Sequence, residues 1–251
     1  MDHMNKDLER QLRRQSVWLR DSLLWLLEEK IIGSDGRADY AMGALDVGCG
    51  PGFTMNMFSP LVKVRGMDSD RDMVNACRSR GLDVALARAE DLPFEDESFE
   101  LVYCSFLLLW VKDPLAVIKE MKRVSSRWVV CFAEPDYGAR LDYPPELSDL
   151  AKLVSEDLER EGGDPFIGRR LRSLYSRAGM SAELGVHMGI WNLEKLRDES
   201  EEELRWLETR TSHSDAMDAL GRLRVARDEA HEAGSLFEFN PIFYALGRKN
   251  P

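Results

Sequence analysis

Apolar positions change their spacing along this chain, and each change marks an element boundary. Between residues 6 and 32, Leu8, Leu12, Trp18, Leu19, Leu23, Leu26 and Leu27 recur at roughly helical spacing among charges, which predicts an amphipathic helix. Gly33-Ser34-Asp35-Gly36 breaks it. From residue 44 short apolar runs take over: Ala44–Val47, Val62–Met67, Leu82–Ala87, Leu101–Phe106 and Trp128–Ala133. Runs this short, without polar alternation, fit strands covered on both faces of a parallel sheet. Helical stretches such as 71–80 and 114–124 lie between them, so the pattern is one of repeated βαβ units.

After Pro135 the rhythm changes. Pro144-Pro145 opens a predicted helix that runs to Arg160 and stops at Gly162-Gly163. A second, Arg169 to Ala178, stops at Gly179. A strand is expected over Ala182–Trp191, an acidic helical stretch over 194–233, and a last strand over Ile242–Leu246.

Composition narrows the classes. The chain has 251 residues, 44% apolar and 31% charged, within the range of globular domains. Its formal net charge of -11 opposes binding to polyanions, whose partners neutralise phosphate with Lys and Arg. No apolar run is long enough to span a bilayer, and the first residues lack a signal-peptide pattern. Cys49, Cys77, Cys104 and Cys131 are widely spaced with no CxxC pair. That argues against zinc or a disulfide framework and fits a reducing cytoplasm. No His/Asp/Glu set has metal-ligand spacing, so no metal is expected, and neither a membrane nor a nucleic acid is expected as a partner. The oligomeric state, monomer or homodimer, is left open.

The sharpest chemical signal is Leu45-Asp46-Val47-Gly48-Cys49-Gly50-Pro51-Gly52. Glycines there let a ligand approach the main chain, and the helix N-terminus after the loop favours a carboxylate or a pyrophosphate. In the dinucleotide fingerprint G-x-G-x-x-G, the third glycine would fall on Phe53. The chain instead reads G-x-G-x-G with Asp46 upstream. Asp68 ends the second strand, where a carboxylate can accept ribose hydroxyls. Ser69 and Asp72 form an S-x-x-D helix-capping pattern beside it.

This loop resembles the first motif of class I S-adenosylmethionine-dependent methyltransferases, D-x-G-x-G-x-G. The string Ala89-Glu90-Asp91-Leu92-Pro93-Phe94-Glu95-Asp96-Glu97-Ser98-Phe99-Glu100-Leu101-Val102 resembles the small-molecule type, similar to the ubiquinone and menaquinone biosynthesis methyltransferases. Asp113-Pro114, Glu120 and Arg123-Val124 continue the likeness. The resemblance implies S-adenosylmethionine as cofactor and S-adenosylhomocysteine as product. It implies a cofactor site of Asp46, Gly48, Cys49, Gly50, Gly52, Asp68, Ser69, Ala89, Glu90, Asp91 and Ser105, with the segment near Ala89 reading adenine and Leu92 supporting its ring. Arg88, Ser69 and the short Ser125-Ser126-Arg127 link depart from the usual pattern.

The implied fold is an α/β, Rossmann-like seven-strand methyltransferase sheet with helices on both faces and an antiparallel strand at Ile242–Leu246. The domain plan is a single methyltransferase domain over 1–251. It divides into an N-terminal helical cover (1–40), a core (41–191 and 240–249) and a helical insertion (192–234). The implied function is methyl transfer to a small-molecule acceptor. An NAD(P)-dependent oxidoreductase and a non-catalytic S-adenosylmethionine-binding regulatory protein are the alternatives. Candidates for the chemistry lie after strand ends: Trp110, Asp136, Tyr137 and His187. Each has a plain structural role as its rival: a pocket wall, a turn, packing, and a satisfied core histidine. The charge yields the first prediction. In a mobility-shift assay with cellular RNA, no submicromolar, steeply salt-dependent complex should form.

Overall fold

The computed structural model describes residues 6–33, 42–187, 193–210 and 214–249. The predicted break at 34–36, the 188–191 end of the expected strand, and the cover–core and core–insertion boundaries at 40–41 and 191–192 lie outside these residues. The chain forms two compact units. One comprises Met1–Glu134, Arg169–His187 and Phe243–Pro251, the other Pro135–Gly168 and Met188–Ile242. Residues 135–168 fall in the same unit as the helical residues 193–232.

The first unit begins with α1 (Lys6–Trp18), α2 (Arg20–Trp25) and a π-helical turn (Leu26–Ile32), so the predicted single helix is interrupted. Then come β1 (Gly43–Val47), α3 (Phe53–Phe58), β2 (Lys63–Asp68), α4 (Arg71–Ser79) and β3 (Val84–Leu86). Next are β4 (Phe99–Ser105), α5 (Pro114–Val124) and β5 (Ser125–Pro135). The second unit holds β6 (Leu141–Tyr143) and α6 (Asp149–Arg160). After α7 (Ile167–Arg177) and β7 (Ala182–Val186) of the sheet come α8 (Leu193–Arg210), α9 (Ser214–Glu232) and β8 (Phe237–Phe239) of the second unit. The sheet closes with β9 (Ile242–Arg248).

The strand order is β3-β2-β1-β4-β5-β9-β7. The first five strands pair in parallel, and β9 runs antiparallel to β7. This is the predicted α/β, seven-strand Rossmann-like sheet. The inner strands β1, β4 and β5 are almost continuously buried, which is why their sequences read as unbroken apolar runs. Phe58, Tyr103 and Phe132 stack edge to face beneath them, with ring centroids 5.1–5.4 Å apart. The short link at 125–127 needs no turn, because β5 starts directly where α5 ends.

In the second unit, Leu147, Leu150 and Val154 pack against Leu204, Leu207, Leu220 and Leu223, so the acidic helices do carry an apolar face. Beside them β6 pairs antiparallel with β8. Arg140 is buried and bonded to Asp142 at 2.8 and 3.0 Å and to Glu203 at 2.7 Å. No described helix is long and apolar enough to cross a membrane.

Opposite the Cys104–Ser105 step of β4, β5 carries one extra residue, Phe132, a β-bulge. The Phe132 carbonyl is taken by His187 Nε2 at 2.6 Å, and Ser22 Oγ of α2 lies 2.6 Å from His187 Nδ1. A carbonyl only accepts, so Nε2 carries the proton, and the neutral ring's Nδ1 accepts from the Ser22 hydroxyl. Burial lowers the His187 pKa. Protonation is thus favoured in the unfolded chain, and the stability contributed by the neutral ring is lost as pH falls below the ordinary value of about 6.5. In urea unfolding, His187→Gln should be less stable than the wild type at pH 8, and that gap should narrow by pH 5.

Candidate functional site

The glycine loop is wedged against the end of β2. Gly48 N–H and Cys49 N–H both donate to the Met67 carbonyl at 2.9 Å. Gly50 N–H donates to Asp68 Oδ2 at 2.8 Å, and Asp70 N–H donates to Asp68 Oδ1 at 2.9 Å. Gly48 has φ +69°, and a Cβ there would lie 2.6 Å from Leu107 Cδ1, so a side chain at this position would be strained and would have to displace Leu107. Gly50, at φ +52°, is different. A Cβ there would meet only Leu12 Cδ1, at 4.0 Å, so its main chain faces open space suited to a ligand. The next helix, α3, has only six residues, a shorter anion-attracting end than the motif suggested.

Asp68 is half-buried, and burial raises its pKa against the opposing pull of the backbone N–H groups of Asp70, Gly50 and Ser69. A carboxylate has about four acceptor positions, so some acceptor capacity remains for ribose hydroxyls. The predicted Ser69 cap is not what starts α4. Asp70 holds the extended N-cap conformation and its side chain accepts from Asp72 N–H at 2.8 Å. Asp suits that role at least as well as Ser, which leaves Ser69 exposed beside Asp68.

The segment with Ala89, Glu90 and Asp91 is a tight turn bridged between Arg88 and Asp91. Ala89 is buried, Glu90 half-buried and Asp91 exposed. Two residues of α5 hold the chain just beyond this turn. Leu92 N–H donates to Glu120 Oε2 at 2.9 Å, while Arg123 donates to the Leu92 carbonyl at 2.9 Å and the Phe94 carbonyl at 2.8 Å. Arg123 also pairs with Glu120 at 2.8 Å and with Asp96 at 2.9 Å. The distant Glu120 and Arg123 of the sequence string therefore serve the turn that was expected to read adenine.

At the carboxyl ends of β1, β4 and β5 lies a group of buried oxygens. Asp46 Oδ2, Tyr103 Oη, Ser105 Oγ and Glu134 Oε2 have no hydrogen-bond partner among the described residues. Burial drives the Asp46 pKa up, with the neighbouring Tyr103 phenol opposing it; the two do not meet hydrogen-bond geometry. Glu134 is fully buried, and desolvation raises its pKa to about 8 although the backbone N–H groups of Leu108, Leu107 and Leu109 oppose this. Asp46 and Ser105 were expected in the site; Tyr103 and Glu134 were not. The one signal for Glu134 is an acid closing the apolar run Val129–Ala133.

Cys49 Sγ and Cys77 Sγ lie 4.0 Å apart, and Cys77 donates to the Gly50 carbonyl at 3.2 Å. Cys104 and Cys131 form a second thiol pair at 3.6 Å. All four are free.

Among the chemistry candidates, Trp110 ends the turn after β4 and is 48% exposed. His187 has both ring nitrogens engaged, one with Ser22 Oγ and one with the Phe132 carbonyl. Asp136 and Tyr137 belong to the second unit. Burial, then the charge of Glu203, pushes the Tyr137 phenol up to about 12. It keeps its proton at neutral pH and can donate a hydrogen bond but not serve as a base.

A methyltransferase domain family matches residues 45–128, the stretch from the glycine loop into β5. A 37.1 kDa transposon protein of Streptomyces fradiae is 34% identical over 153 residues, covering 55% of this chain and 43% of its own. A methyltransferase of Schizosaccharomyces pombe is 30% identical over 151 residues, 51% of this chain and 52% of its own. The chain thus spans about half the length, or less, of these curated relatives. Among solved structures, a Haemonchus contortus phosphoethanolamine N-methyltransferase 2 in complex with S-adenosyl-L-methionine superposes with a TM-score of 0.59 at 15% identity, over 92% of this chain and 53% of its own.

The Glu120–Arg123 clamp is testable. Arg123→Met removes charge-assisted bonds to two loop carbonyls. Because the guanidinium is partly exposed, the cost should be about 1–2 kcal/mol in urea unfolding. Faster amide exchange is expected at Phe94, next to the released Leu92 carbonyl.

Proposed function

We propose that this chain, which carries a class I methyltransferase domain, transfers a methyl group from S-adenosylmethionine to a small-molecule acceptor. The observation that carries this reading is the pairing of Gly50 with Asp68. It places an open stretch of main chain beside a carboxylate with unused acceptor positions.

S-Adenosylmethionine would supply an electrophilic methyl group on a sulfonium. The chain's own residues bind, orient and exclude water. Asp68 accepts from the ribose hydroxyls, with Ser69 beside it. Gly48, Cys49, Gly50 and Gly52 present main chain to the methionine end. The unpartnered oxygens of Asp46 and Ser105 suit its ammonium, a group with donors only. The turn through Ala89, Glu90 and Asp91, clamped by Glu120 and Arg123, holds the adenine.

Helix α1 supports a covering role. Leu12 is the side chain nearest to open Gly50. Glu9 of α1 pairs with Arg80, whose guanidinium also bonds the Pro51 carbonyl. A cover that limits water favours displacement at the sulfonium. The acidic balance and the absence of a CxxC pair support a small acceptor over a nucleic acid, and a cytoplasmic setting.

Calorimetry tests the reading. S-Adenosylmethionine and S-adenosylhomocysteine should bind in the range of about 1 μM to 1 mM, and NAD should not. Asp68→Ala should weaken binding by about 1.5–3 kcal/mol, and Gly50→Val should abolish it. Binding of NAD alone would replace methyl transfer with an oxidoreductase reading.

A further inference from the structure

The turn after β4 is held in an unfavourable shape. Phe106 has φ +52° without being glycine, a conformation that persists only where neighbours impose it. On one side, Phe106 N–H donates to the Ala133 carbonyl at 2.7 Å. On the other, Glu134 Oε1 accepts from Leu107 N–H at 3.1 Å and from Leu108 N–H at 2.9 Å. The bulge at Phe132 changes the register of β5 just before this residue, and bulges re-aim the side chains beyond them.

The held turn bears on the cofactor loop. Leu107 Cδ1 comes so near Gly48 that a Cβ there would be only 2.6 Å away. Gly48 is in turn tied to the Met67 carbonyl on its far side. The glycine loop therefore sits between the end of β2 and a turn whose position depends on one buried side chain.

We infer that Glu134 is a positioning residue for the cofactor: its Oε1 anchors the Phe106–Trp110 turn, and through Leu107 that turn sets the position of the glycine loop. The inference rests on the cofactor reading above. It uses Glu134 as a neutral acceptor, since Oε2 is buried with no cationic or donor partner among the described residues. The titratable group beside it is Cys104, whose Sγ is 3.9 Å from Oε1, and a thiol supplies no countercharge. An amide oxygen can take the same two N–H bonds, so glutamine should replace glutamate where leucine cannot.

The test is calorimetric titration of S-adenosylhomocysteine into wild type, Glu134→Gln and Glu134→Leu, with thermal unfolding of each recorded alongside. Wild type and Glu134→Gln should agree within about threefold. Glu134→Leu should bind at least about tenfold more weakly, the size expected from losing two hydrogen bonds at a buried acceptor. In Glu134→Leu, amide exchange should rise at Leu107 and Leu108 while Val102 and Tyr103 stay protected. If Glu134→Leu does not fold, Leu107→Ala carries the test, because it removes the side chain that touches Gly48 and leaves the hydrogen bonds in place; it should bind at least about fivefold more weakly. Unchanged affinity in Glu134→Leu, or in Leu107→Ala where that variant serves, overturns the inference. So does a Glu134→Gln variant as weak as Glu134→Leu. Failure of the wild type to bind either adenosyl ligand would instead overturn the cofactor reading beneath it.

Discussion

The hydrogen bond from Gly50 N–H to Asp68 Oδ2, 2.8 Å long, joins the loop after β1 to the end of β2. A loop of glycines has little reason of its own to hold one shape, because each glycine loses much conformational entropy on ordering. Here a side-chain carboxylate and the Met67 carbonyl supply the missing constraint, with Arg80 and Cys77 adding bonds to the Pro51 and Gly50 carbonyls. The Asp70 cap of α4 lies on one side of that loop, and Leu107 packs close to Gly48 on it.

The carboxyl ends of β1, β4 and β5 show what the arrangement costs. Buried polar atoms without partners are destabilising by about 1–3 kcal/mol each, and four gather there. A fold selected only for stability would fill these positions with apolar side chains. Glu134 shows the compromise in one residue: one oxygen organises a strained turn, and burial is tolerated because the acid is easily kept neutral.

The N-terminal helices tie together opposite parts of the first unit. Ser22 reaches His187 beyond β7, Lys30 pairs with Glu183 of β7, and Glu9 pairs with Arg80 beside the glycine loop. Leu26, Leu27 and Ile31 are fully buried, so most of the energy of docking comes from apolar area rather than from the exposed ion pairs. Helix α1, whose Leu12 lies nearest to Gly50, is thereby part of the same packed body as the sheet.

The parallel strands, the glycine loop and Asp68 were legible in the sequence because they rest on short-range rules. A strand covered on both faces must be apolar throughout, a left-handed turn needs glycine, and a carboxylate at a strand end is a local feature. The grouping of residues 135–168 with 188–242 into one compact unit was not legible. Nor were the β6–β8 pair, the interruption of the first helix, the replacement of Ser69 by Asp70 as the cap, or the role of Glu134. Apart from that cap, a local choice between neighbouring residues, each depends on which distant segment arrives to satisfy a backbone group or bury an apolar face. Tyr103 reads as one more apolar position until Asp46 is found beside it, and the partners of His187, Ser22 and the Phe132 carbonyl, appear only in the folded chain. Local pattern determined the elements and the glycine loop. Tertiary structure alone decided which polar groups were already spent on holding the fold, because hydrogen-bond satisfaction in the interior is settled between residues far apart in the chain.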